Sequence, residues 1–422
     1  MKERVRFTGN FVFILFLFLL LYSFAMFQGG FVSWFLFFSF LPIFLYHIGL
    51  LLYPLKEWRV TRKISRQINR AGDSVTIHVH MKRKIPFPLY YCVFEEVLPE
   101  SLKKIDSRKD KYHFMDDPNQ LFVNRQVKKI IFPSVRRAVE FTYTLEQVPR
   151  GEHHLQAIRV RTGDVFGFVR KTHVFELPDR LIAYPNERPV RLVEQSANFE
   201  QGSTASYMIN LKNTNVATGI REYMPGDKFS WIDWKQTAKK NTVMTKEFEQ
   251  EKSTDIMLVL DGCEYEGMNY LAFEAAVEMT VSFMEEIRKQ SSQVGLVTIG
   301  EKAVHFPLRN EPGQINMVKQ HLTHIQPVGK KPFSMKLKEE VMKMDSGNIL
   351  VIFTNNLNSG LRGAIKKMKQ RSKRVMVIYI QSENKIRQLN QEKARELKLD
   401  GVNVVTMSEA DLLKNPIEVK LT

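Results

Sequence analysis

Hydrophobic and polar positions alternate in three different ways along the chain, and each pattern predicts a different element. Residues 11–27 (FVFILFLFLLLYSFAMF) and 31–53 (FVSWFLFFSFLPIFLYHIGLLLY) contain no Asp, Glu, Lys or Arg. As helices, at about 1.5 Å per residue, they span roughly 25 and 35 Å, against a hydrocarbon core of about 30 Å. Gln28-Gly29-Gly30 supplies a tight turn between them. Residues 1–55 are therefore expected to form a transmembrane helical hairpin. A cleaved signal peptide is the competing reading, because Lys2, Arg4 and Arg6 precede the first run. No small-residue cleavage pattern follows that run, and a second apolar span comes at once.

Over residues 56–185 the apolar period becomes two. Val75–His80 and Ala138–Leu145 alternate, and Tyr90–Val97 is aromatic and β-branched. Ala71-Gly72-Asp73, Pro86-x-Pro88, Pro149-Arg150-Gly151 and Thr162-Gly163-Asp164 break the runs with turn chemistry. A small β-sandwich-like module is the expected result. Residues 186–215, rich in Asn, Gln, Ser and Thr, read as an exposed linker, and residues 186–252 as linker plus a distinctive segment.

Over residues 253–422 the pattern alternates strand and helix. Continuous apolar runs predict strands at Asp255–Leu260, Gln293–Ile299, Asn348–Thr354, Arg374–Ile380 and Val402–Thr406, with a short edge at Val304–Pro307. Phe273, Ala276, Val277, Thr280, Val281 and Met284 recur at helical spacing and predict a helix over 270–289. Further helices are expected near 314–321, 335–344, 359–371 and 385–398. The fold class is thus α/β plus β, ending in a doubly wound, mostly parallel sheet.

The stretch joining the modules, residues 211–262, is the most distinctive. Pro225-Gly226-Asp227 is a turn: Pro fixes φ, Gly accepts positive φ, and Asp bonds the nearby backbone. Trp231 and Trp234, three apart, predict one face of a short helical turn. Lys246–Lys252 is a charged run, read as a solvated edge leading into the apolar strand. The series Gly219-x-Arg221-x-Tyr223-x-Pro225-Gly226-Asp227, followed by Ile232-Asp233-Trp234-Lys235, resembles the signature of the bacterial domain of unknown function 58 family. Arg150-Gly151 and Gly163-Asp164-x-Phe166-Gly167 resemble the same family. The resemblance implies a von Willebrand factor A-like domain over roughly 253–410. It also implies association with a MoxR-like AAA+ ATPase and a membrane protein bearing a transglutaminase-like domain.

Domains of the von Willebrand A type often hold Mg²⁺ through Asp-x-Ser-x-Ser, a Thr and a further Asp. Here the first loop reads Asp261-Gly262-Cys263-Glu264-Tyr265, and Thr354-Asn355-Asn356 stands where the last Asp would lie. Asp261 and Asn355 are the remaining candidate ligands, yet Mg²⁺ prefers a near-octahedral set of hard oxygens, which a thiol does not supply. No cofactor is called for on these grounds, and Asp261 reads as a strand-end residue bonding loop amides.

Charge locates the partners. The 422 residues carry a net charge of +17, and residues 56–180 hold 25 Lys and Arg against 15 Asp and Glu. Beside a membrane anchor, such a surplus attracts anionic headgroups at about 1 kcal/mol per basic residue. No recognition motif supports nucleic acid as the partner. Lys2, Arg4 and Arg6 precede the hairpin, Lys56, Arg59, Arg62, Lys63 and Arg66 follow it, and the turn has no charge. By the positive-inside rule both ends of this multi-pass cell-membrane protein face the cytoplasm. The two cysteines, Cys92 and Cys263, fit a reducing compartment and no zinc spacing.

Enzymatic motifs are missing. Neither a GxxxxGK[ST] loop nor a GxSxG elbow occurs. Cys263 and His305 are residue types able to form a nucleophile and base, but an inert half-buried thiol is commoner. Asp227 and Asp233 read as a turn cap and an ion-pair partner of Arg221 or Lys235. Tyr223, Trp231 and Trp234 with Arg221 and Lys235 make the aromatic and basic mixture of an interface, or else the tryptophans fill a core. The expected role is a membrane-tethered, non-enzymatic adaptor or co-chaperone in envelope-associated protein assembly. An ion-dependent adhesion module and an envelope enzyme are the alternatives.

Overall fold

A computed structural model describes residues 2–194, 215–250, 255–289, 293–309, 311–329, 331–389 and 391–421. The chain divides into two compact units: Met1–Ser107 with Leu121–Tyr184, and Arg108–Gln120 with Pro185–Thr422.

The first unit begins with helices α1 (Lys2–Gln28) and α2 (Phe31–Leu52). Their segments Phe11–Gln28 and Phe31–Leu52 are long and apolar enough to cross a membrane. Gly29 and Gly30 both take positive φ at the turn, where a side chain would be strained. Eight strands follow: β1 (Arg59–Ile64), β2 (Ile68–Arg70), β3 (Val75–Lys82), β4 (Tyr91–Val97), β5 (Val127–Ile131), β6 (Ala138–Leu145), β7 (Gly151–Gly163) and β8 (Arg170–Tyr184). They form a three-stranded sheet, β1-β3-β6, and a five-stranded sheet, β2-β8-β7-β4-β5. All neighbours are antiparallel except β2 and β8. Period-two patterning decides the faces: Val75, Ile77, Val79 and Met81 are buried, while His78 is exposed. The inward residues of both sheets join one apolar cluster that also takes Leu50, Leu51, Tyr53 and Trp58 from the end of α2 and the chain after it.

A polar contact adds to this apolar packing of helix against sheet. Asp164, in the turn between β7 and β8, accepts amide hydrogens from Val169 at 2.6 Å, Phe166 at 3.0 Å and Phe168 at 3.2 Å. Its second oxygen also faces His47 Nε2 of α2 at 3.1 Å. Burial alone would raise this carboxyl, but the amides and the imidazole hold it below the ordinary range. His47 is the one histidine in the apolar run 31–53, and a ring nitrogen there needs a partner.

The second unit contains β9 (Val190–Glu194), β10 (Asn215–Glu222), α3 (Trp234–Lys240), β11 (Met244–Gln250), β12 (Ile256–Asp261), α4 (Tyr270–Lys289), β13 (Val294–Ile299), β14 (Ala303–Arg309), α5 (Pro312–His324), α6 (Phe333–Glu340), β15 (Ile349–Thr354), α7 (Ser359–Arg371), β16 (Arg374–Ile380), α8 (Glu383–Leu389), α9 (Gln391–Leu399), β17 (Asn403–Met407), α10 (Glu409–Leu412) and β18 (Ile417–Leu421). A six-stranded sheet has the order β14-β13-β12-β15-β16-β17, parallel except at the β14 edge. Strand order reverses between β12 and β15, the position at which open α/β sheets commonly place their sites. Every residue of β12, β13 and β15 is buried, because helices cover both faces. Leu350 and Ile352 face the side chains of α6, α7 and α9, whereas Phe353 meets Phe283 of α4 edge to face at 5.4 Å.

Two expectations change here. Residues 186–215 were expected to be linker, but β9 pairs in parallel with β18 near the far end of the chain; residues 195–214 lie outside the described residues. Arg108–Gln120 falls within the span expected for the β module yet packs in the second unit. There Glu278 of α4 is buried and accepts from Tyr112 Oη at 2.7 Å, meets Lys111 Nζ at 3.3 Å and pairs with Arg188 Nε. Asn269 Nδ2 donates to the Met115 carbonyl at 2.6 Å.

Candidate functional site

The segment carrying Gly219 to Lys235 folds as a β10–β11 hairpin whose long connection returns on itself. The strands pair antiparallel, Arg221 opposite Thr245 and Glu222 opposite Met244, with an irregularity between Ala217 and Gly219. A Cβ at Gly219 would lie 3.1 Å from a Glu247 carboxylate oxygen. Met224-Pro225-Gly226-Asp227 makes the predicted turn: Asp227 N–H donates to the Met224 carbonyl at 3.0 Å, and Gly226 has φ 114°.

The Arg221 guanidinium closes this turn. Its two terminal nitrogens donate to the two Asp227 oxygens at 2.8 and 2.7 Å, and Asp227 also accepts the Met224 amide at 2.9 Å. The guanidinium and then the amide hold the Asp227 carboxyl below its usual range. Asp233 plays a different part. It caps α3, accepting from the amides of Lys235 and Gln236, while Thr237 Oγ1 donates to its carbonyl at 2.8 Å. The two aspartates are thus a turn lock and a helix cap.

The aromatic residues are held outward. Tyr223 stacks on Phe229 with ring centroids 6.2 Å apart, and the Lys228 ammonium lies 5.4 Å from the Trp231 ring centre. Trp231 is half-buried and ends a 3₁₀ turn, Phe229–Trp231, while Trp234 starts α3 and is 71% exposed. The two tryptophans therefore belong to successive elements rather than one helical face, and neither fills a core. In the hairpin the buried described side chains are Met244 and Thr245, too few to enclose an indole. Phe229, at 79% exposed, and Met224, at 61%, extend the apolar surface, with Lys228, Lys235, Lys239 and Lys240 also exposed. Lys246 and Glu247 lie in β11, so the charged run begins as a strand; Glu251 and Lys252 lie outside the described residues.

A second set of residues gathers at the carboxyl end of β12. Asp261 is buried; its Oδ2 accepts the Thr354 hydroxyl at 2.7 Å and its Oδ1 the Cys263 amide at 3.1 Å. Burial pushes this carboxyl up to about 7, against the lowering effect of those two donors. The Tyr265 hydroxyl donates to the Asn355 carbonyl at 3.0 Å, and Gln381 Nε2 donates there at 3.3 Å. The Asn355 side-chain amide is buried with neither its nitrogen nor its oxygen hydrogen-bonded. Sequence reasoning placed Asp261 and Asn355 at this edge but passed over Thr354 as a partner of Asp261, and Gln381. Their only signal is position at strand ends.

These donors do not fit Mg²⁺. Cys263 and Tyr265 stand where hydroxyl ligands would be needed, the Cys263 thiol donates to the Ile299 carbonyl at 3.3 Å, and the Tyr265 hydroxyl is spent on the Asn355 carbonyl. Among the described residues, no three His, Cys, Asp or Glu side chains gather as a metal set. Burial, then Asp261, raises the Cys263 thiol to about 12, so the thiolate is disfavoured. His305 Nε2 meets Glu340 at 2.6 Å, and it lines a cavity of about 790 Å³ with Glu264, Lys336 and Glu339. Asp261 and Cys263 are not among the residues lining that cavity.

Comparison with known proteins agrees with the signature. The family described as "Protein of unknown function DUF58" matches residues 219–407. The uncharacterized protein YeaD of Bacillus subtilis (strain 168) is 36% identical over 322 residues, covering 76% of this chain and 76% of that protein. Among solved structures, the PilB minor pilin from Streptococcus sanguinis superposes with TM-score 0.30 and 10% identity, over 76% of this chain and 84% of that one. The Bacillus subtilis sporulation control protein Spo0M gives TM-score 0.14 and 12% identity, over 30% of this chain and 50% of that one. On the strength of the shared signature and the extended match to its Bacillus relative, the chain belongs to the DUF58 family.

Proposed function

We propose that this protein is a membrane-tethered, non-enzymatic adaptor or co-chaperone. In this reading the hairpin of residues 215–250 is a grip for a MoxR-like AAA+ ATPase in envelope-associated protein assembly, with a transglutaminase-like membrane protein as a further partner. The observation that carries the reading is the exposure of Phe229, just after the turn locked by Arg221 and Asp227, and of Trp234, at the start of α3. Large exposed aromatics cost little entropy to immobilise and dominate binding where they occur, and nearby lysines favour an acidic partner. We read the six-stranded domain as doubly wound and von Willebrand A-like, from its strand order and its helices on both faces. The two apolar helices would anchor the chain with both ends in the cytoplasm, and the basic β module would face anionic lipid.

Affinity purification of the full chain from detergent-solubilised membranes tests this. Recovery of an AAA+ ATPase with the wild type, and its loss with Trp234→Ala, is the expected result. An ATPase recovered equally with both, or no ATPase with either, contradicts the proposal.

A further inference from the structure

The first unit holds a cavity of about 780 Å³ where α2 ends. Leu51, Leu52 and Leu55 line it together with Lys56, Arg170 and Lys171, and no carboxylate is among its lining residues. Lys171 Nζ donates to the Leu51 carbonyl at 2.7 Å and the Tyr53 carbonyl at 2.5 Å. These carbonyls sit at the negative end of a helix, and an ammonium there keeps a third donor. Arg161, also in the lining, is paired with Glu95 at 2.6 Å, so the uncompensated charge comes from the other three cations.

The neighbouring turn fixes the level of this cavity. Val165, Phe166 and Phe168 are 62%, 65% and 43% exposed, an unusual set of large apolar side chains on one turn. Phe168 lies 5.8 Å from Phe13 of α1 and 5.8 Å from His47 of α2, ring centre to ring centre. The exposed aromatics therefore continue the apolar surface of the two spanning segments, near the start of one and the end of the other. A surface of this kind, with cations beside it, matches the boundary between acyl chains and headgroups.

We propose that this cavity binds the headgroup phosphate of an anionic phospholipid, with Lys56, Arg170 and Lys171 on the phosphate and Leu52, 67% exposed, against the upper acyl chain. A phosphate diester supplies acceptors for the ammonium and guanidinium donors. The exposed Leu52 and the exposed Phe166 and Phe168 of the neighbouring turn select a lipid over free phosphate. The inference rests on the two helices crossing a membrane.

Native mass spectrometry of the full chain in detergent, with phosphatidylglycerol and phosphatidylcholine added in competition, provides the test. The wild type is expected to retain phosphatidylglycerol with a preference of about tenfold. Lys56→Gln with Arg170→Gln should reduce that preference to near unity. Lys82→Gln with Lys129→Gln, exposed and outside the cavity, should leave it unchanged. Equal retention of both lipids by the wild type, or an undiminished preference in the first double variant, overturns the assignment. Displacement of the lipid by millimolar inorganic phosphate does so too, because it points to a simple anion site. Fractionation separates the two ideas: a chain that leaves membranes without detergent defeats the anchor, whereas an anchored chain indifferent to headgroup defeats only the cavity.

Discussion

Arg221 and Asp227, six positions apart in sequence, meet fork to fork, with both guanidinium–carboxylate contacts at 2.7–2.8 Å. The pair sets the path of the chain that presents Met224 and Phe229 to solvent. Lysine at 221 would keep the charge and lose the planar two-point fit. Arg221→Lys is therefore expected to weaken retention of the ATPase by roughly tenfold, the scale of a lost charge-assisted hydrogen bond. The melting midpoint of the chain should stay near that of the wild type. Unchanged retention in a pull-down titration would separate the turn from partner binding.

Glu278 is a buried carboxylate shared by three neighbours: Tyr112, Lys111 and Arg188. Removing it leaves two buried cations without their counter-charge. Glu278→Ala is expected to cost about 3–5 kcal/mol, whereas Tyr112→Phe should cost about 1 kcal/mol. Urea unfolding of the full chain in detergent measures both. Equal costs for the two variants would mean that the carboxylate does not organise this cluster.

Asp261 makes a distinct contribution to the pH dependence of stability. Its carboxyl is raised to about 7 in the fold, against about 3.9 in an unfolded chain. The folded state thus keeps a proton that the unfolded state has released, and the stabilisation is complete below about pH 4 and lost as pH rises through 7. Between those limits Asp261→Asn should gain on the wild type by about 1.4 kcal/mol per pH unit. Unfolding midpoints of both proteins at pH 5 and pH 8 test this. Parallel changes in the two would contradict the protonated, buried carboxyl.

The charge pattern around α1 and α2 sets an expected orientation. A phosphatase fused at the C-terminus should be inactive in intact cells, and a fluorescent protein fused there should be bright. The reverse pair of results would place the α/β unit on the other side of the membrane.

Local periodicity made much of the fold legible. The helix expected over 270–289 is α4, Tyr270–Lys289, and the strands of the six-stranded sheet lie within a few residues of their apolar runs. Pairings between distant segments left no such trace. Nothing in Val190–Glu194 announces Ile417–Leu421 as its neighbour, and nothing in Tyr112 announces Glu278. The stretch expected near 385–398 as one helix is divided between α8 and α9, with residue 390 outside the described residues. At the candidate site the turn and its ion pair follow from Pro225-Gly226-Asp227 and Arg221, because both are local. The exposure of Trp234 does not follow, since burial depends on how much chain surrounds a side chain rather than on its own hydrophobicity.

The central claim is that the hairpin surface is where another machine takes hold. A photo-crosslinking amino acid placed at Trp234, and separately at Phe132 as a well-exposed aromatic control in the β module, measures this in intact cells. The expected result is a light-dependent adduct with an AAA+ ATPase from position 234 and none from position 132. No adduct from 234, or the same adduct from both positions, would contradict it.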